Sequence, residues 1–329
     1  MPVLTSLEPV RVVEGGRLWL RGDGFPPPDS SADLVTIGGV AARLSFAATE
    51  RVAVVVPAGL EGGETPVKIA WLPGATLYAR VGTLIATGLH QVDNPVFGPD
   101  GSLYVTYSGT RGQEATVSIF KIGGNGAREP FVHAMVNPTS MAVGPDGHLY
   151  VSSRFEGRVY RVFDDGHYEV MASDLGVACG LAFGADGALY VGDRGGTIYK
   201  IDPGGRTRIF ATIPSSIAAF HLAMSPDGIL YVSGPTLASY DLVRRIDAEG
   251  RVEALKTPFG RPQGLAFDTR GVLHVVEALA GSSGVFAIRP DRDPELVVAG
   301  AALVGVAFKP NGQMVVASND SIYSFPPPA

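Results

Sequence analysis

The chain holds a single cysteine, Cys179, among its 329 residues. One cysteine excludes an intramolecular disulfide and any four-cysteine zinc site, so folding does not depend on an oxidising compartment. Charge is sparse as well: 26 Lys and Arg against 32 Asp and Glu leave a formal net charge of −6 at pH 7. That balance gives no electrostatic reason to expect nucleic acid or an anionic membrane, both of which reward clustered basic residues. No apolar run approaches the ~18 residues of a spanning helix, so no membrane insertion is expected. The start, Met1-Pro2-Val3-Leu4-Thr5-Ser6-Leu7, lacks a basic segment leading into an apolar one, the pattern of a signal peptide. As given, the sequence reads as cytoplasmic, or as secreted or periplasmic if a signal peptide has been removed. The histidines stand singly rather than at ligand spacing, and no nucleophile elbow, phosphate-cradling loop or zinc-protease motif occurs.

Glycine (43) and proline (25) are abundant, which points to many tight turns and therefore many short strands. A repeated pattern organises them: apolar-Ala-apolar, then Pro-Asp-Gly, then Leu-Tyr-Val. It begins at Val96-Phe97-Gly98-Pro99-Asp100-Gly101-Ser102-Leu103-Tyr104-Val105 and recurs with turn glycines at 147, 187, 228, 271 and 312. The intervals are 46, 40, 41, 43 and 41, the period of four-stranded propeller blades rather than of helical repeats. Asp-Gly supplies the positive φ of a tight hairpin between two apolar stretches. In the third unit this predicts strands over 180–183, 188–192, 197–201 and 207–212. No segment carries a sustained helical periodicity, so the fold class is all-β.

The sixth repeat has three strands before the chain stops. Its missing fourth has a candidate upstream in residues 78–87, which resemble the fourth strands of other repeats. The expectation is a six-bladed propeller closed by an N-terminal latch strand, which removes an exposed sheet edge. Residues 1–75 lie outside the repeat and alternate apolar and polar between Gly15-Gly16, Gly38-Gly39 and Gly62-Gly63, with Pro26-Pro27-Pro28 opening a polar loop. They predict a small β-sandwich holding both tryptophans, Trp19 and Trp71, joined to a propeller over 76–329 by a linker near Leu72-Pro73-Gly74. Two separable unfolding transitions are expected if that linker carries little interface.

With Gly15-Gly16-Arg17-Leu18-Trp19-Leu20-Arg21-Gly22-Asp23-Gly24-Phe25, Val35-Thr36-Ile37-Gly38-Gly39-Val40-Ala41-Ala42 and Val54-Val55-Val56-Pro57 in view, the first segment resembles an IPT/TIG domain, an immunoglobulin-like fold. The remainder resembles NHL-repeat propellers and, more loosely, propellers of the gluconolactonase/regucalcin (SMP-30) type. The second resemblance implies a divalent metal at the channel mouth and a lactonase activity. That family's ligands precede the glycine position of each innermost strand; here those positions read Asp93, Thr139, Cys179, Phe220, Gln263 and Val304. Asp93 alone is a carboxylate, whereas a hard cation wants six or more oxygen ligands.

The other residues expected at the mouth follow the second strand of each blade. Asp93, Arg154, Asp193, Arg194, His221 and Glu277 form the candidate ligand-binding set, a polar cup for a small ligand, with no catalytic residue assigned. Cys179 and His221 come from adjacent units, which would permit a thiol–imidazole pair. The functional expectation is a non-catalytic binding protein presenting a propeller face to a protein, glycan or small polar ligand. The alternative is a metal-dependent, lactonase-like hydrolase with calcium or zinc at Asp93; otherwise no cofactor is expected.

Overall fold

The computed structural model describes residues 2–25, 34–72, 74–124, 126–279 and 283–327, so the Pro26–Pro28 loop lies outside the described residues. Every regular element among them is a β-strand. The N-terminal part supplies β1 (Val3–Glu8), β2 (Arg11–Val12), β3 (Arg17–Asp23), β4 (Val35–Ile37), β5 (Val40–Ala47), β6 (Arg51–Val55), β7 (Gly63–Ile69) and β8 (Thr76–Val81). After β9 (Thr83–Ala86) come antiparallel quartets in simple up-and-down order. The first two are β10–β13 (Val96–Phe97, Leu103–Thr106, Ile119–Ile122, Arg128–Val132) and β14–β17 (Pro138–Val143, Leu149–Ser153, Arg158–Val162, Tyr168–Ala172). Next are β18–β21 (Ala178–Phe183, Leu189–Asp193, Thr197–Ile201, Thr207–Thr212) and β22–β25 (His221–Met224, Leu230–Ser233, Asp241–Ile246, Val252–Phe259). β26–β29 (Pro262–Phe267, Leu273–Glu277, Gly284–Ile288, Glu295–Ala299) follow, and β30–β32 (Leu303–Phe308, Met314–Ser318, Ile322–Phe325) end the chain. The arrangement is a β-propeller with five separate four-stranded sheets, the fifth being β30-β31-β32-β9.

β9 is the strand borrowed from upstream: it pairs antiparallel with β32, Ala86 opposite Ile322 and Leu84 opposite Tyr323. It is shorter than the expected 78–87 span, because that stretch breaks at Gly82 into two strands with different partners. A Cβ at Gly82 would meet Val13 Cγ1 at 2.8 Å and Phe325 Cζ at 3.0 Å, so a larger residue would press into the propeller cluster that holds both.

The remaining quartet, β26–β29, is not a separate sheet. Its outer strand β29 pairs parallel with β2 (Arg11 opposite Val298, Val12 opposite Ala299), and β2 pairs parallel with β8. One twelve-stranded sheet therefore runs β1-β3-β6-β5-β4-β7-β8-β2-β29-β28-β27-β26. Side-chain alternation divides this junction. Val12 is buried in the N-terminal core with Leu18, Val81 and Ala299, whereas Val13 enters a propeller cluster with Val285, Val298 and Phe325. β2 thus joins the N-terminal strands to the β26–β29 quartet in one sheet.

The repeat motif encodes each blade twice over. The six turn glycines all sit at φ between 75° and 85°; in the first three repeats the preceding Asp accepts a backbone N–H two residues on, as Asp100 does from Ser102 at 3.0 Å, and Asn311 does the same in the last. The same carboxylate then reaches across to a cation on the third strand: Asp100 to Lys121 and Asp186 to Lys200, both at 2.7 Å. Register explains the recurrence, since Tyr104 faces Lys121, Tyr150 faces Arg161 and Tyr190 faces Lys200 across neighbouring strands. The Leu and Val of Leu-Tyr-Val fill the space between sheets; Leu189 and Val191 are 0% exposed against Tyr150 and Val159.

Near the channel, Asn94 ties three sheets together. Its Nδ2 donates to Leu265 O and its Oδ1 accepts from Val306 N, both at 2.9 Å. Gly264 and Gly305 make room, for a Cβ at either would lie within 2.7 Å of Asn94 atoms.

Candidate functional site

The six candidate residues do not form one cup. They divide into three groups by depth and partner. Asp93, just ahead of β10, and His221, at the start of β22, meet in the interior, 3% and 0% exposed. His221 Nδ1 lies 2.6 Å from Asp93 Oδ1, and the Asn94 N–H donates to the same oxygen at 2.7 Å. An ionised carboxylate only accepts, so Nδ1 is the donor of that bond. His221 Nε2 is buried with no hydrogen-bond partner.

Asp193 and Glu277, at the ends of β19 and β27, turn their carboxylates into neighbouring loops. Asp193 Oδ1 accepts the Val177 N–H at 2.7 Å. Glu277 accepts three backbone N–H groups, from Gly260 (2.5 Å), Arg261 (2.8 Å) and Leu279 (2.7 Å). Ser153 holds the equivalent place in β15 and donates to Val136 O at 2.6 Å. The strand-end position thus serves loop closure in each of these sheets.

Arg154 and Arg194 each follow such a strand end by one residue and line a cavity of about 470 Å³ at the mouth. Arg111, Gln91, Phe155 and Ile217 line it as well, and Cys179 contributes to its wall. Among the described residues no carboxylate lies within ion-pair distance of Arg111, Arg154 or Arg194. Burial pushes the Arg154 guanidinium below its ordinary value, and the like charges of Arg111 and Arg194 push the same way. His90 is also lowered, first by burial and then by Arg154. Arg111 and Gln91 were not among the sequence candidates. Arg111 sits five residues beyond the end of β11, inside a longer loop, so it lacks the register that marks Arg154 and Arg194.

Cys179 is 1% exposed, its Sγ donates to Val177 O at 3.2 Å, and burial raises its pKa to about 11. With no partner on His221 Nε2, the thiol–imidazole pair does not form.

The ring of positions that a lactonase-type metal would use reads Asp93, Thr139, Cys179, Phe220, Gln263 and Val304 here. Its one carboxylate is committed to His221 and Asn94, and Phe220 and Val304 offer no donor. Among the described residues no group of three or more His, Cys, Asp or Glu is placed to hold a metal ion. These residues do not fit a calcium or zinc centre, which needs several oxygen or nitrogen ligands on one point.

No protein-family model matches the chain, and no relative is found among the curated proteins. Solved structures do resemble it. A gluconolactonase from Xanthomonas campestris superposes with a TM-score of 0.61 at 16% identity, covering 77% of this chain and 90% of its own. An auxiliary nutrient binding protein from Bacteroides thetaiotaomicron gives 0.58 at 13% identity, covering 98% and 97%. Virginiamycin B lyase from Staphylococcus aureus, in a catalytically inactive histidine-to-alanine form with quinupristin, gives 0.55 at 15% identity, covering 98% of each chain. At these identities the likeness is one of fold. Among the described residues no helix is long and apolar enough to cross a membrane.

Proposed function

We propose that the chain is a non-catalytic binding protein whose propeller mouth takes up a small polar ligand. The observation that carries this reading is the 470 Å³ cavity, of small-molecule size, where side chains without partners of their own converge. Asp93 and His221, the groups most suited to acid–base work, are buried against each other. In finer detail we read β26–β29 as a sixth blade, since its order and pairing repeat those of the other five. We read β1–β8 as the immunoglobulin-like sandwich of the IPT/TIG resemblance, with the boundary moved from residue 75 to Gly82. A glycan or a protein loop offers less to this site than a small ligand, because a cavity of small-molecule volume rather than a broad face gathers the unpaired groups.

The test is a thermal-shift screen of small polar metabolites, followed by calorimetry on Arg154→Gln and Arg194→Gln. Binding lost in either variant supports the reading; binding untouched by both places the ligand elsewhere. A second reading, a hydrolase or lyase, is favoured by one observation, the unpartnered Nε2 of His221 backed by Asp93. Turnover of aldonolactones that vanishes in both His221→Ala and Asp93→Asn would establish it in place of the first.

A further inference from the structure

We propose that the mouth cavity is a receptor for an amphipathic organic acid. The acidic head group sits among Arg111, Arg154 and Arg194, and the apolar body lies along Phe155 and Ile217. This deepens the binding reading above and rests on it.

The first support is the mismatch between donors and acceptors. Several arginines elsewhere in the propeller have carboxylates close by, Arg161 to Asp146 and Arg245 to Glu253 at 2.7 Å and Arg251 to Asp247 at 2.6 Å, while those without one among the described residues, such as Arg128 and Arg208, stand singly on outer strands. The three at the mouth have none, in a protein whose acidic residues outnumber its basic ones. Like charges gathered without counter-charge repel one another, and an anion relieves that repulsion while accepting charge-assisted hydrogen bonds. Beside Arg194 in sequence, Asp193 accepts the Val177 N–H, and beside Arg154, Glu156 accepts from Tyr160 and Arg158; deeper in the channel, Asp93 is held by His221 and Asn94.

A second, independent observation points the same way. Gln91 is 0% exposed and lines the cavity, and its Nε2 has no hydrogen-bond partner. A buried amide N–H without an acceptor is costly, of the order of 1–3 kcal/mol. Its Oε1 accepts the Thr106 N–H, which leaves Nε2 as the free end of the amide, and in the proposed complex an oxyanion seated against this wall is its acceptor. All four groups that lack partners are donors, so the complementary ligand is an acceptor with negative charge.

The walls define the rest of the ligand. Phe155 is 54% exposed and Ile217 44% exposed, and both line the cavity. Farther out, in the loop between β23 and β24, Leu237 is 91% and Tyr240 64% exposed. Large apolar side chains left in water beside a charged pocket fit a ligand with an apolar body better than a bare inorganic anion.

The experiment is calorimetry on the full chain with four probes: phenylpropionate, phenylpropanol, phenylpropylamine and inorganic phosphate. Phenylpropionate is expected to bind at least about tenfold more tightly than the alcohol or phosphate, and the amine not at all. Its affinity should fall as salt is raised. Arg154→Gln and Arg194→Gln are each expected to weaken it about tenfold. Arg208→Gln, on the exposed outer strand β21, should leave it unchanged, and all three variants should keep the parental circular dichroism. Alcohol bound as tightly as the acid, or acid binding indifferent to both mouth arginines, overturns the assignment of an acid while leaving a small-ligand site standing. Phosphate bound as tightly as phenylpropionate removes the apolar body from the proposal. Failure of all four probes overturns both the acid and the pocket as a small-ligand site.

Discussion

Val298 sits in β29, fully buried among Val13, Val285, Val316 and Phe325, on the strand that also hydrogen-bonds β2. Replacing it with Ala removes two methyl groups from the propeller side of the junction. At ~0.8 kcal/mol for each carbon removed, the transfer loss is about 1.6 kcal/mol. Incomplete collapse of the space left behind adds up to about 1 kcal/mol at about 24 cal/mol per Å³. The variant should therefore lose about 2–3 kcal/mol, which lowers the urea midpoint by about 0.7–1 M for an m-value near 3 kcal/mol/M.

What matters is which probe sees that loss. The two tryptophans, Trp19 and Trp71, both lie in the N-terminal part, where Trp19 packs on Phe46 at 5.5 Å and Trp71 on Phe25 at 5.0 Å. Indole emission therefore reports a region that Val298 does not belong to, while far-UV circular dichroism is dominated by the blades. Because Val12 of β2 enters one core and the next residue, Val13, enters the other, opening either core strips partners from the same segment. Emission and dichroism should shift together in Val298→Ala, and also in Leu18→Ala on the opposite side. A dichroism midpoint that moves while the emission midpoint stays in place would refute the coupling and restore two independent units.

Two further outcomes follow from the ionisable groups. Lys121 holds the Asp100 carboxyl at about 2, below its ordinary 3.8, and Lys200 lowers Asp186 in the same way. A carboxyl lowered by folding stabilises fully above its ordinary value and loses that contribution as pH falls through the lowered one. Tm should thus decline between about pH 4 and pH 2, and Asp100→Asn should flatten the decline. Each carboxylate is about half exposed, so the contribution is screened to below about 1 kcal/mol per pair and shrinks further in high salt. Cys179, at about 11, should be alkylated at pH 8 on the order of two-hundredfold more slowly than a free thiol, from its thiolate fraction alone. A rate matching that of a free thiol would mean that the side chain is not enclosed as described.

The blades were legible because their determinants are local. Pro-Asp-Gly fixes a turn within a few residues, and Asp100 both caps that turn and reaches Lys121 on the third strand of its own sheet. The strands expected in the third repeat match β18–β21 to within two residues at each end. β2 carries no such local mark, for the opposite reason. Arg11-Val12 is two residues long, and its partners are Arg80-Val81 and Val298-Ala299, so nothing in the surrounding sequence marks it. Missing it also hid the fusion of the two units, since that strand alone joins β8 to β29. The latch was found from its likeness to other fourth strands, but its division at Gly82 depends on Val13 and Phe325, which are remote in sequence.

Strand register is legible in sequence, whereas the charge facing the cavity is not. Register placed Asp193, Arg194, Arg154 and Glu277 at the strand ends, but residue type cannot tell a side chain facing a ligand from one bound to its own loop. Loops entering the innermost strands present backbone N–H groups that need acceptors, and a carboxylate at the end of the second strand is well placed to supply them. Asp193 and Glu277 are consumed in this way, Glu277 by three N–H groups at once. The guanidinium side chains have no comparable use, because they only donate and the nearest carboxylates are already committed. An acidic chain therefore presents cations at its mouth: the scaffold's demand for acceptors falls on the carboxylates, and the arginines are left facing the cavity. Net charge gives the sign of the far field; the sign inside a pocket depends on which groups the backbone has claimed.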